Sequence, residues 1–310
     1  MPVYLIKRFG QMLLVLFLVS ILVFLMIHLI PGDPVLNFLG MEADEATVEA
    51  LRNKLGLNDS MLTQYGNFLK DILRGDLGTS IYWNEPVTSL LAERLPVTIK
   101  LAIGGTLIAS LLGILAGIIS AVNQNKFWDN VLMVLSLLSV STPSFFLAML
   151  LMLLFALKLG WLPSIGLLSA KHYVLPMITM GLSSLGLITR TTRSAMLDVL
   201  HEDYIRTSRS RGLRSSVIIF SHALRNALIP VLTAVGLRFG GLLAGSMLIE
   251  SVFSIPGIGR LLIDGVLRRD YPVVRSTVLV IAATFIVLNT LIDILYALVD
   301  PRVRAHGFIK

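Results

Sequence analysis

The chain has 310 residues, of which 55% are hydrophobic and 15% charged, against about 25% charged in a typical soluble domain. That balance excludes an ordinary water-soluble globule, and the absence of cysteine excludes disulfide frameworks, thiolate metal sites and cysteine nucleophiles. A formal net charge of +7 suits nucleic acid or an anionic surface, so the placement of the charges has to decide between them.

In chain order, Lys7 and Arg8 precede an apolar run from Phe9 to Ile30, interrupted by Gln11, Ser20 and His28. About 20 apolar residues cross a hydrocarbon core, whereas a cleavable signal has an apolar core of about 7 to 15 residues followed by small residues at a cleavage site. Here "HLIPGDPV" follows, and a retained first span is expected. The segment from Pro31 to Val97 holds ten acidic and five basic residues. Within it "DEATVEALRNKLGL" and "MLTQYGNFLKDIL" repeat apolar residues at helical spacing, so two short amphipathic helices are expected there. "RGDLGTS" and "NEPV" read as turns leading to the second span.

Further apolar runs lie at about 98 to 122, 131 to 157, 173 to 189, 227 to 249 and 276 to 299, giving six spans. In lipid each backbone must satisfy its own hydrogen bonds, so continuous helices are the default. Pro143 in "SVSTPSFF" and Pro176 in "YVLPMI" each remove a donor, as packing kinks or as a gating hinge. Between the last two spans "PGIG" is a turn, followed by a short helix from Gly259 to Arg268.

Lys7, Arg8, Lys126, Arg190, Arg193, Arg206, Arg209, Arg211, Arg214, Arg225, Arg302, Arg304 and Lys310 all fall on one face of a six-span topology. By the positive-inside rule that face and both termini are cytoplasmic, and residues 31 to 97 form an outer insert. The charge thus belongs to a membrane topology, and no nucleic-acid partner is expected.

About 37 residues, 190 to 226, separate the fourth and fifth spans where a few would close the chain. Glu202 and Asp203 begin a short helix candidate that ends at Gly212, and a second, from about Ser215 to Asn226, leads to the fifth span. The passage is either a lipid-headgroup anchor or a contact for another protein, since Ser208 and Gly212, four apart, permit close helix approach.

No phosphate-binding G-x-x-x-x-G-K-[ST] pattern occurs, so the chain has no cradle for ATP. His28, His172, His201, His222 and His306 are scattered, so no built-in metal site is expected. No serine has a nucleophile-elbow context, and a non-catalytic subunit is expected. Ionisable groups inside spans are few and informative. Arg238 sits near the middle of the fifth span, either lining a pathway where it could attract a peptide carboxylate or forming a structural pair with Asp293 or another span. Asn289 and Asp293 share a face of the sixth helix; Asn289 is a pathway candidate and Asp293 a packing one. Glu250 and Arg260 are either a salt bridge or part of an outer gate.

The segments "HLIPGDP", "GDLGTS", "EDYIRTSRSRGL", "HALRNALIP", "ESVFSIPGIGRLL", "RRDYPVV" and "DILYALVDPR", in this order and spacing, resemble inner-membrane permease subunits of bacterial ABC importers. The group is the one that carries dipeptides, oligopeptides, glutathione and nickel. Its cytoplasmic E-A-A-x-x-x-G loop is matched by "RTSRSRG", where Arg206 stands for glutamate, Thr207 and Ser208 for the alanines, and Gly212 for the glycine. The resemblance implies an all-α polytopic membrane protein with the type I ABC importer permease fold, in which residues 1 to 310 form one permease domain. It also implies ATPase coupling through Glu202, Asp203, Arg206, Thr207, Ser208, Arg211, Gly212, Leu213, His222, Arg225 and Asn226. The implied partners are a second homologous permease subunit, two ABC ATPases that bind the ATP and Mg, and an extracytoplasmic solute-binding protein. The implied location is the bacterial inner membrane. Short peptides are the expected substrate, with nickel or a chelated metal as the alternative. A stand-alone secondary transporter or channel is the rival that would follow an ion gradient.

Overall fold

A computed structural model describes residues 2–29, 35, 44–54 and 57–299, without the side chains of residues 2–5, 7, 27–29, 51, 54, 243–245 and 293–299. Its long elements are the apolar runs of the sequence. They are α1 (Pro2–Leu29), the short helices α2 (Glu45–Lys54) and α3 (Met61–Leu73), α4 (Val87–Val122) and α5 (Phe127–Ser141). Next come α6 (Ser144–Leu151), continued by a π-helical stretch Met152–Lys158, then α7 (Val174–Leu200), α8 (Asp203–Ser210), α9 (Leu224–Val252), α10 (Ile258–Leu267) and α11 (Tyr271–Val299). Among the described residues five helices are long and apolar enough to cross a membrane, and α5 with α6 and its continuation make a sixth candidate.

That sixth candidate is not the kinked helix expected at Pro143. Its two halves are bent by 106°, because Thr142 and Pro143 both take extended backbone (ψ 123° and 134°) and α6 restarts with Pro143 as its cap. Pro176, in contrast, interrupts nothing. It is the third residue of α7, where a backbone N–H has no intrahelical partner to lose. The prolines inside helices are Pro96 in α4 and Pro230 in α9.

The chain divides into two compact units. In the first, residues 1–97 and 256–287, α3 is capped by Ser60, whose hydroxyl accepts from the Thr63 N–H at 3.3 Å. It then packs on α1 through Tyr65: the Tyr65 and Ser20 hydroxyls are 2.8 Å apart, and the ring meets Phe24 edge-on at 5.3 Å. A second cluster joins Val87, Leu90 and Leu91 to Ile258, Leu261 and Val273. The "RRDYP" segment owes its form to Asp270, fully buried. Its carboxylate accepts from the Ser80 hydroxyl at 2.6 Å and the Tyr82 N–H at 3.0 Å, and from the Val273 N–H at the start of α11.

In the second unit, residues 98–255 and 288–310, α7 is the central element, packed by α5, α6 and α9. A Cβ at Gly113 of α4 would lie 2.8 Å from Ile188 of α7, and one at Gly186 of α7 would overlap the Ser136 carbonyl of α5. These two glycines, with Gly104, Gly105, Gly117 and Gly181 along the same α4–α7 contact, let the helices approach closely. The Ser139 hydroxyl adds a polar tie, donating to the Leu182 carbonyl and accepting from the Gly186 N–H at 3.2 Å.

Candidate functional site

The arginine-rich passage folds as α8. Glu202 holds the extended cap position and Asp203 places an acid in the first turn, where the positive end of the helix dipole favours it. At the other end Gly212, at φ +76°, donates to the Arg209 carbonyl at 3.0 Å, and the Leu213 N–H reaches the Ser208 carbonyl at 3.4 Å. This is a Schellman closure, which needs a left-handed residue and so selects glycine. The hydroxyls of Thr207, Ser208 and Ser210 bond back to carbonyls one turn earlier, at 3.0, 2.8 and 3.1 Å.

One apolar side chain seats this helix. Ile205 is fully buried among Ile118 and Ala121 of α4, Ala195 and Met196 of α7, and Ile218, Ala223 and Ala227. Beside it the Tyr204 hydroxyl accepts from the Asn226 side-chain amide at 2.6 Å, so residues 202–213 and 222–226 form one surface. On it Glu202, Asp203, Arg206, Thr207, Arg211, Gly212, Leu213, Arg225 and Asn226 are exposed, while Ser208 and His222 are partly buried. The Arg206–Asp203 pair at 3.6 Å is almost wholly in solvent and contributes little stability.

Two boundaries differ from the sequence reading. Helix α7 runs on to Leu200, so Arg190 and Arg193 are helical rather than part of a loop. The second short helix is not separate either: one α-turn, Ser215–Val217, passes through a π-helical stretch, Ile218–Ala223, directly into α9.

Arg193 belongs to a cluster that sequence reasoning missed. Its Nε and Nη2 each donate at 2.7 Å to the two oxygens of Asp129, whose side chain is 2% exposed. The same carboxylate accepts from the Ser120 hydroxyl on α4 and from the Asn125 N–H at 2.8 Å. Asn125 sits at φ +61° in the α4–α5 turn, so one buried carboxylate fixes that turn, the start of α5 and the last turns of α7.

The second feature is a cavity of about 310 Å³, at the lower end of the range for small-molecule sites. Its wall includes the break between α5 and α6 (Ser139, Thr142, Pro143, Ser144), Met180, Ser183 and Ser184 of α7, and Arg238 and Gly241 of α9. Arg238 is the charged member of this lining, and its Nε has no hydrogen-bond partner among the described residues. A central charge facing lipid costs at least about 2.5 to 3.5 kcal/mol, and the cavity is the polar alternative that the fold supplies.

Asn289 is partly buried on α11, and the Asp293 side chain lies outside the described residues. Glu250, fully buried on α9, accepts from the Thr98 hydroxyl at 2.6 Å. Arg260 pairs within α10 with Asp264 at 3.8 Å. Glu250 and Arg260 fall in different units.

Comparison with known proteins now decides the family. Residues 113–305 match the profile of the binding-protein-dependent transport system inner membrane component, and residues 1–102 match the N-terminal region of the same class of membrane component. The chain belongs to this family. Among curated relatives, the permease is 46% identical to a glutathione transport system permease protein of Pectobacterium atrosepticum. It is 42% identical to the one of Escherichia coli K12; each match covers 97% of this chain and 98% of the relative. It is similar in fold to the inward-facing MetNI methionine ABC transporter, with a TM-score of 0.59 at 18% identity over 68% of this chain and 96% of that one. An amino acid ABC transporter matches with a TM-score of 0.52 at 19% identity, over 69% and 94% of the two chains. The permease is thus a multi-pass inner-membrane subunit of an ABC importer with the type I fold.

Proposed function

We propose that this permease carries glutathione or a similar short peptide inward, through the cavity beside Arg238, with power delivered at α8. The observation that carries the substrate is the near full-length similarity to glutathione permeases; these relatives point to a tripeptide rather than to nickel. A solute-binding protein delivers the peptide to the outer side, and a second permease subunit completes the passage. Two ATPases hold the ATP and Mg, and this chain contributes no catalytic residue. The termini and α8 face the cytoplasm in this reading, which the distribution of Lys and Arg supports.

The geometry supports coupling at α8 for a mechanical reason. A helix of eight residues is not stable alone; this one is held by Ile205 in a cluster drawn from α4, α7 and the start of α9. A push on its exposed face by a docked ATPase is therefore passed to those three elements together. Arg238 lies further along α9, and Met180, Ser183 and Ser184 lie on α7, so the same two helices carry the cavity wall.

The test is uptake of radiolabelled glutathione, a dipeptide and nickel in cells with the gene deleted and restored, with ATP depleted in a parallel arm. Restored, ATP-dependent uptake of glutathione or the dipeptide is expected. Restoration of nickel uptake alone moves the permease to the metal branch.

A further inference from the structure

We propose that Arg238 is a specificity-determining residue of the transit cavity, reading a free carboxylate on the solute and favouring anionic peptides over cationic ones. This rests on the reading of the cavity as part of the solute path. Three observations carry it. Arg238 stands midway along the apolar helix α9, about 21 Å from Leu224 at 1.5 Å per residue. Its Nε is buried without a hydrogen-bond partner among the described residues, and no described side chain forms an ion pair with it. Among the residues that line the cavity it alone is charged, and none is acidic.

The neighbouring hydroxyls sharpen the chemistry. Ser139 has spent its hydrogen on the Leu182 carbonyl and Ser183 its hydrogen on the Met180 carbonyl, so Ser183 faces the cavity as an acceptor. The wall therefore offers a guanidinium fork for a carboxylate, which it matches in shape and charge, and neutral acceptors for amide or ammonium N–H groups. It offers an ammonium no counter-charge. A peptide with two carboxylates and one ammonium, such as glutathione, has a net charge of about −1 near neutral pH and suits this arrangement. A lysine-rich peptide does not.

The test uses the assembled transporter in proteoliposomes with its solute-binding protein. Glutathione and its analogue with both carboxylates amidated are each supplied at a concentration that saturates wild-type uptake. For Arg238→Gln, glutathione uptake is expected to fall at least tenfold, with a much smaller change for the diamide. Arg238→Lys, which keeps the charge but loses the fork, is expected to fall between wild type and Arg238→Gln for glutathione. Asp293→Asn is expected to leave uptake near wild type. Unchanged glutathione uptake by Arg238→Gln, an equal loss for both solutes, or an Asp293→Asn variant that copies Arg238→Gln overturns the proposal. Failure of the wild-type transporter to carry glutathione at all is a different result, and refutes the substrate reading on which the proposal rests.

Discussion

Replacing Asp129 with Asn keeps the shape of the side chain and removes its charge, leaving the guanidinium of Arg193 without a counter-ion. Breaking a buried pair by removing one partner costs about 3 to 5 kcal/mol. Arg193 remains 24% exposed, so part of the stranded charge is recovered by water, and about 2 to 4 kcal/mol is expected for Asp129→Asn. Arg193→Met is expected to cost at least as much, because the carboxylate it abandons is 2% exposed and is left with the Ser120 hydroxyl and the Asn125 N–H. The double variant should cost less than the sum of the singles, with a coupling of about 1 to 3 kcal/mol. Unfolding of the purified permease by SDS in mixed micelles, followed by tryptophan fluorescence, measures all three; Trp128 adjoins Asp129 in sequence and is exposed, which makes it a local reporter. A neutral Asp129→Asn variant, or strictly additive singles, refutes the claim that this cluster clamps α4, α5 and α7.

Three further variants test other parts of the account. Ile205→Ala removes the buried apolar anchor of α8 at a cost of about 2 to 5 kcal/mol, so trypsin should cut at Arg206 and Arg209 faster, and uptake should be lost while the protein stays in the membrane. Gly212→Val meets no neighbour within 4 Å but must hold φ +76°, a penalty of about 1 to 2 kcal/mol; ATP hydrolysis without uptake is expected, and normal ATP-driven uptake at normal expression counts against a coupling role. Gly186→Ala drives a Cβ into the Ser136 carbonyl, a backbone atom with little freedom to yield, and should destabilise the fold by about 1 to 3 kcal/mol in the same SDS titration.

What the sequence discloses here follows the range of each signal. Hydropathy and periodicity are local, and they locate the long helices, both short helices between the first two spans and the stop at Gly212; the turn read at "PGIG" lies instead at Phe253–Ser254, and Ile258 and Gly259 already belong to α10. The bend at Pro143 exceeds what the sequence predicts, because a proline's local effect is one lost N–H and one steric clash, whereas a 106° break depends on the packing around it. Pro176 was overestimated because its consequence depends on where the helix starts. Asp129 and Arg193 are 64 residues apart, and each taken alone looks like an ordinary charge near a span end. Arg193 was accordingly counted with the loop arginines. The anchor of α8 did leave a sign: Ile205 is the single aliphatic residue in "DYIRTSRS", and an isolated apolar side chain in a polar helix marks the face that is buried.

The central claim is that this permease couples peptide passage to an ATPase docked on α8. It is tested most directly by glutathione uptake into proteoliposomes holding the assembled transporter, with ATP supplied on the side of α8 and the proton gradient collapsed by an ionophore. Uptake that requires ATP, survives the ionophore and is abolished by Ile205→Ala is the expected result. Uptake that persists without ATP and vanishes with the proton gradient contradicts it.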